Sequence, residues 1–178
     1  MLNAVVQPSG QRDRRDQPRA AAIHEVATWS AFDVRSLASK LDFVAADAVL
    51  PELCAADKET VIRTLVHCLA DAGAVADAER DEVLSAVLRR ESISSTAIGH
   101  GIAIPHARHP GVQRVVAGIA YCPEGIVFGG RYGSDVHLII LLVSPENSPT
   151  AYLQALSELS QRLLATTQTD RYEAAIAK

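Results

Sequence analysis

The residues with most chemistry to offer lie in one stretch, Arg90-Glu91-Ser92-Ile93-Ser94-Ser95-Thr96-Ala97-Ile98-Gly99-His100-Gly101-Ile102-Ala103-Ile104-Pro105-His106-Ala107. An arginine and several hydroxyls precede a glycine-flexed backbone and then one imidazole, His106. Gly99 and Gly101 can adopt angles that turn successive N–H groups toward an anion, with the Thr96 hydroxyl close by in the chain. Pro105 fixes its own φ and stiffens the backbone next to His106. Imidazole titrates near cell pH, so a neutral ring nitrogen is available as a nucleophile. A phosphoryl group taken up there would need cationic and N–H partners, which Arg90 and the loop can supply. Spacing alone leaves the plainer alternative open, that His106 is a satisfied structural residue.

His100 and His109, taken with His106, raise a metal reading. The pattern His-x5-His-x2-His has no nearby carboxylate or thiolate to complete a ligand set, and Pro105 and Pro110 constrain the loop, so no metal site is expected. Cys54, Cys68 and Cys122 are odd in number and contain no C-x-x-C pair. They are expected to be buried small apolar residues, not disulfide partners or zinc ligands.

The elements that must position this stretch can be read from periodicity. Structure is expected to begin near Phe32. Asp57 can cap a helix with Val61, Ile62, Leu65, Val66 and Leu69 on one face and Gly73 at its end. Asp77 is expected to cap a second helix, with Val83, Leu84, Val87 and Leu88 inward, running into Arg90-Glu91. Val115–Tyr121 and Val136–Val143 (VHLIILLV) read as strands, the second buried on both faces. Glycines between them, Gly125, Gly129, Gly130 and Gly133, mark turns or bulges. A helix after Pro149 should carry Leu153, Leu156, Leu159, Leu163 and Leu164, and Asp170 should cap a short last helix to Ala177. Helices, then strands, then helices indicate a layered α/β domain.

Bulk properties set the limits. The chain has 178 residues, 48% of them apolar, enough for one core in a single domain. Residues 25–178 are expected to form it. Residues 1–24 are polar and aperiodic and read as a disordered tail. Net charge is −4 with both signs interspersed, which argues against nonspecific nucleic-acid binding. No uncharged apolar run approaches the roughly 18 residues of a membrane span, and no secretory h-region is present, so a cytoplasmic protein without membrane insertion is expected.

The chemical stretch resembles the active-site signature of the fructose/mannitol-type IIA components of the bacterial phosphotransferase system. Glu91, Ile98, Gly99, Ile102, Ala103, Ile104, Pro105, His106 and Ala107 meet every element of that signature. The resemblance implies that His106 accepts a phosphoryl group from a histidine-containing phosphocarrier protein, and that Arg90 and Ser95 lie around it. It also implies a mixed β-sheet with helices on both sides and no cofactor or metal. Where the family carries a second active-site histidine, this chain has Tyr152, which can donate a hydrogen bond but brings no imidazolium charge. Packing alone is the other reading of Tyr152. Gly129 stands where the family often has an acidic residue. His137, another departure, is either a core or edge residue or a replacement imidazole. Loss of the second histidine, and no attached IIB or membrane domain, favour the nitrogen-regulatory branch, whose phosphorylation state controls target proteins by contact. The alternatives are a sugar-specific IIA passing phosphate to a IIB domain, and a non-catalytic binding module that retains the fold.

Overall fold

The first described helix carries its own cap. This computed structural model describes residues 29–129 and 135–176, the last eleven by their backbone alone. The expected tail, the turn glycines Gly130 and Gly133, and Ala177 lie outside the described residues. Ser30 and Asp33 form a capping box at the start of α1 (Ala31–Ala38). Strand β1 (Val44–Leu50) follows. Its sequence, VAADAVL, has little of the β-branched and aromatic content of a typical strand and gave no signal beforehand.

Helix α2 (Lys58–Asp71) starts as expected, with the Asp57 carboxylate accepting from the Thr60 N–H at 2.8 Å. Gly73 takes φ +67° and closes it. Asp77 does not cap a helix through its side chain. It opens a 3-10 turn, Asp77–Glu79, and its carboxylate pairs instead with Arg80 at 3.1 Å. Helix α3 (Arg80–Ile93) then buries Val83, Leu84, Val87 and Glu91. After Pro149 there is one helix, α4 (Pro149–Ile176), which passes through Asp170 without the expected break. Its inward stripe is Ala155, Leu159 and Leu163; Leu153 and Leu164 point outward and are more than 60% exposed.

Between the helix pairs lie β2 (Ala97–Gly99), β3 (Ile102–Ala103), β4 (His106–His109), β5 (Val116–Ile126) and β6 (Val136–Pro145). The sheet runs β1-β5-β6-β3-β2, with β4 also on β6. β5 and β6 are antiparallel, whereas β1 lies parallel to β5, and β3 and β4 lie parallel to β6. Six strands of mixed direction are thus flanked by helices on both faces. The central strand shows why its sequence is apolar throughout. Its Ile139, Leu141 and Val143 enter the core built with α2 and α3, while Leu138 and Ile140 pack with Val34, Leu37 and Leu159 of α1 and α4. Leu142 meets Ala155 on the α4 side. Of the cysteines, only Cys122 is fully buried, and burial pushes its thiol up to about 11. Cys54 is exposed, against expectation.

Candidate functional site

β3 and β4 both run along the side of β6 away from β5, interrupted at Ile104-Pro105. Among the described residues β4 is a free edge, while β3 is covered by β2. Pro105 has no N–H to give, but its carbonyl accepts from the Leu142 N–H at 2.9 Å, so the chain remains docked on β6 through the break. This fixes His106 opposite Leu142 and Arg108 opposite Ser144. Strand alternation then sorts the four residues of β4. Ala107 and His109 are buried on the α3 side, while His106 and Arg108 share the α4 side.

The His106 ring is half-buried, and its Nδ1 lies 2.8 Å from the Ile104 carbonyl oxygen. A carbonyl only accepts, so Nδ1 carries the proton and the lone pair of the neutral ring sits on Nε2. Burial lowers the imidazole pKa from its ordinary 6.5; the Ile104 carbonyl pulls it up, the Arg90 charge lowers it further, and Glu91 raises it. The ring therefore stays neutral at neutral pH, with Nε2 free to attack an electrophile.

One side chain packs on it, and two arginines carry charge on the same side of the sheet. Tyr152, in the first turn of α4, packs its ring on His106 with centroids 5.7 Å apart and planes inclined at 46°. Burial raises the Tyr152 phenol, so it is a hydrogen-bond donor at neutral pH, and the charges of Arg90 and Arg108 both pull the other way. Arg90 comes from the last turn of α3 and donates from Nη1 to the Ser94 carbonyl at 3.0 Å, which ties it to its own helix end. Arg108 was missed beforehand. The signal was present, because a strand beginning at His106 returns to the same face two residues on.

The remaining expected site residues build the scaffold. Glu91 is 4% exposed, and its carboxylate accepts from the Thr96 N–H at 2.9 Å, the Thr96 hydroxyl at 2.6 Å and Lys58 Nζ at 3.2 Å. Lys58 also donates to the Phe128 carbonyl at 3.0 Å. Thr96 is thus turned inward and its proton is committed to Glu91. Ser95 donates to the Gly129 carbonyl at 3.0 Å and holds the turn after β5. Gly99 (φ +91°), His100 (+53°) and Gly101 (+72°) make the β2–β3 hairpin turn, and the Gly101 carbonyl accepts from His137 N and Leu138 N. The hairpin end pairs at Leu138 and His106 at Leu142, four residues along β6 or roughly 13 Å. The expected anion nest is therefore a hairpin, out of reach of His106.

His137 sits at that same far end, its Nδ1 3.1 Å from the Cys122 carbonyl, and supplies no second imidazole to His106. His109 faces Glu79 (3.6 Å), at the end of the 3-10 turn, and Glu82 (3.5 Å), in the first turn of α3. The Gly111 N–H donates to its Nδ1 at 3.2 Å, which leaves the ring proton on Nε2 and no nitrogen lone pair for a cation. Neither His100 nor His106 joins that group.

The chain that places this imidazole at a sheet edge, between the end of one helix and the start of another, has clear relatives. Residues 42–175 match the family model "Phosphoenolpyruvate-dependent sugar phosphotransferase system, EIIA 2". The chain belongs to that family of IIA domains. This IIA domain is 31% identical over 122 residues to a nitrogen regulatory protein of Bradyrhizobium diazoefficiens, covering 68% of this chain and 78% of the relative. It is 37% identical over 109 residues to a fructose-specific EIIA component of Haloferax volcanii, covering 61% and 70%. In structure it matches the nitrogen regulatory protein IIA-Ntr of Neisseria meningitidis with a TM-score of 0.59 and 26% identity, covering 66% of this chain and 78% of that one. No described helix of the IIA domain is long and apolar enough to cross a membrane.

Proposed function

We propose that this IIA domain accepts a phosphoryl group on His106 Nε2 from a phosphohistidine of a small phosphocarrier protein, and that its phosphorylation state controls other proteins by contact. One observation carries the reading: the Ile104 carbonyl accepts a hydrogen bond from Nδ1–H, which keeps the proton there and leaves Nε2 as an unprotonated nucleophile. The lone pair of Nε2 forms the new P–N bond. The donor's P–N bond breaks, its electron pair returns to the donor ring, and a donor ring protonated at its other nitrogen departs as neutral imidazole. The positive charge passes to the His106 ring, where the Ile104 carbonyl stabilises the N–H it sits on. Donor and acceptor are alike, so the reaction is close to thermoneutral and its rate depends on positioning and on neutralising the phosphoryl oxygens. Arg90 and the Tyr152 hydroxyl are the groups at hand for that, with Ser95, Thr96 and Glu91 holding the frame.

The regulatory branch is favoured by Tyr152, which cannot rebind a proton near pH 7 as a second histidine would. Likeness to the Bradyrhizobium and Neisseria proteins supports it. Phosphorylation adds up to about two negative charges to this face, enough to exchange one partner for another. The second reading, a sugar-specific IIA that passes phosphate to a IIB domain, is favoured by the identity to the fructose-specific component. Both place the domain in the cytoplasm with its phosphocarrier and call for no cofactor.

The test is intact mass after incubation with phosphoenolpyruvate, enzyme I and phosphocarrier, beside His106→Ala. An acid-labile gain of one phosphoryl group, absent in the variant, is expected. No gain from a folded protein and a charged carrier would leave a binding module. Rapid loss of the label to a fructose-type IIB domain would favour the sugar-specific reading.

A further inference from the structure

We infer that Arg108 is a second cation of the phosphoryl pocket, its guanidinium contacting the oxygens of a phosphoryl group on His106 alongside that of Arg90. The inference rests on the reading of His106 as phosphoryl acceptor and extends it to a residue outside the signature.

Geometry supports it in three ways. His106 and Arg108 project from the same face of β4, two residues and roughly 7 Å apart, within the span of an extended arginine side chain. Arg108 is exposed and has no hydrogen bond or ion pair among the described residues, so nothing in the fold already uses its charge. Arg63, Arg80 and Arg162, by contrast, are held by acidic neighbours three or four residues before them. Finally, the Tyr152 phenol responds to both Arg90 and Arg108 while its ring packs on His106. Arg90 and Arg108 thus both act on the residue that covers the imidazole, and Arg90 acts on His106 as well. Because Nδ1 is turned back on the Ile104 carbonyl, Nε2 lies on the ring's other side, away from its own main chain.

A phosphoryl group on Nε2 presents three oxygens that carry charge in the transition state as well as in the product. Tyr152 brings a donor but no charge, and Arg90 brings one charge while capping its own helix. Arg108 is the remaining cation on this face of β4, and guanidinium suits the task because it binds paired oxygens through parallel N–H groups. The balance of the transfer is unchanged: Arg108 neither gains nor loses a proton, and acts only on charge that the oxygens already bear.

The experiment compares wild type, Arg108→Ala and Arg108→Lys, each mixed rapidly with excess phosphorylated carrier and followed by intact mass. The saturating rate is expected to fall about 10- to 100-fold in Arg108→Ala, with partial recovery in Arg108→Lys. The carrier concentration at half-maximal rate should change by less than about threefold, and the thermal midpoint should not move, since the side chain is exposed. The phosphorus NMR line of the phosphohistidine should shift in Arg108→Ala, which a structural role would not produce. A wild-type saturating rate in Arg108→Ala would overturn the inference. A defect confined to the half-maximal concentration would also overturn it, assigning Arg108 to carrier docking. If wild type itself takes no phosphoryl group, the reading of His106 fails first.

Discussion

At the scale of the residue, His106 is defined by what holds it neutral. Burial and Arg90 disfavour its charged form more than the Ile104 carbonyl and Glu91 favour it. Its titration midpoint, followed by NMR, should fall below the ordinary 6.5 and rise when Arg90 is replaced by Gln. The sign for stability follows from linkage: the unfolded chain binds the proton more readily than the folded one. The contribution is therefore complete above pH 6.5 and is lost as pH falls from there through the folded midpoint. In Arg90→Gln that loss on acidification should be smaller. Tyr152 makes a second residue-scale case. Replacing it with Phe removes only the hydroxyl and should slow phosphorylation of His106 about three- to tenfold. Replacing it with His puts an imidazole beside His106 and should raise transfer to a fructose-type IIB domain at least tenfold, measured by chasing the phosphorylated protein with the IIB domain. If Tyr152 only packs, Phe will match wild type in both assays.

At the scale of the element, the β2–β3 hairpin shows how one sequence signal admits two structures. Gly99-His100-Gly101 satisfies the backbone needs of an anion nest and of a tight turn alike, because both require positive φ. What decides is the pairing of β3 with Leu138 and Ile139, a tertiary fact invisible in the stretch itself. His100 pays for the turn with φ +53°, where Asn is better tolerated. His100→Asn should therefore raise stability by about 0.5–1 kcal/mol in urea unfolding, without altering phosphorylation. The same distinction separates what was legible from what was not. Val61 to Leu69, with Asp57 before and Gly73 after, announce α2 because period and caps are local. The apolar run of β6 announced a strand covered on both faces, and Pro105-His106 announced the imidazole on which the proposed function rests. β1 was silent because Ala and Asp carry no strand preference, and it forms by pairing with β5. Lys58 was silent because its partners, Glu91 and Phe128, are distant in sequence, whereas Arg108 left the signal of a strand that returns to the His106 face two residues on.

At the scale of the whole molecule, the Lys58–Glu91 pair joins parts that the sheet alone does not. Lys58 opens α2, Glu91 closes α3, Thr96 leads into β2, and Phe128 ends the chain that leaves β5. One carboxylate and one ammonium therefore fix the helix end from which the Arg90 charge acts on His106. The carboxylate is buried, whereas the Lys58 side chain keeps 36% exposure. Breaking the pair from the lysine side should cost less than the roughly 3–5 kcal/mol of a fully buried pair, because water can partly replace the lost cation. Lys58→Met is expected to lower stability by about 2 kcal/mol, and Glu91→Gln by a similar amount, since the amide keeps some of the Thr96 contacts. If the two charges act as a unit, the double variant will be much less destabilised than the sum of the single ones. That non-additivity, measured by urea unfolding, distinguishes a clasp from two independent contacts. A functional consequence follows as well. When Lys58→Met loosens the end of α3, Arg90 loses its fixed position. The His106 midpoint should then drift upward toward 6.5 even though Lys58 is not among the groups that shift it directly. A midpoint unchanged in a destabilised Lys58→Met would show that Arg90 holds its place by its own bond to the Ser94 carbonyl, and that the clasp serves stability alone.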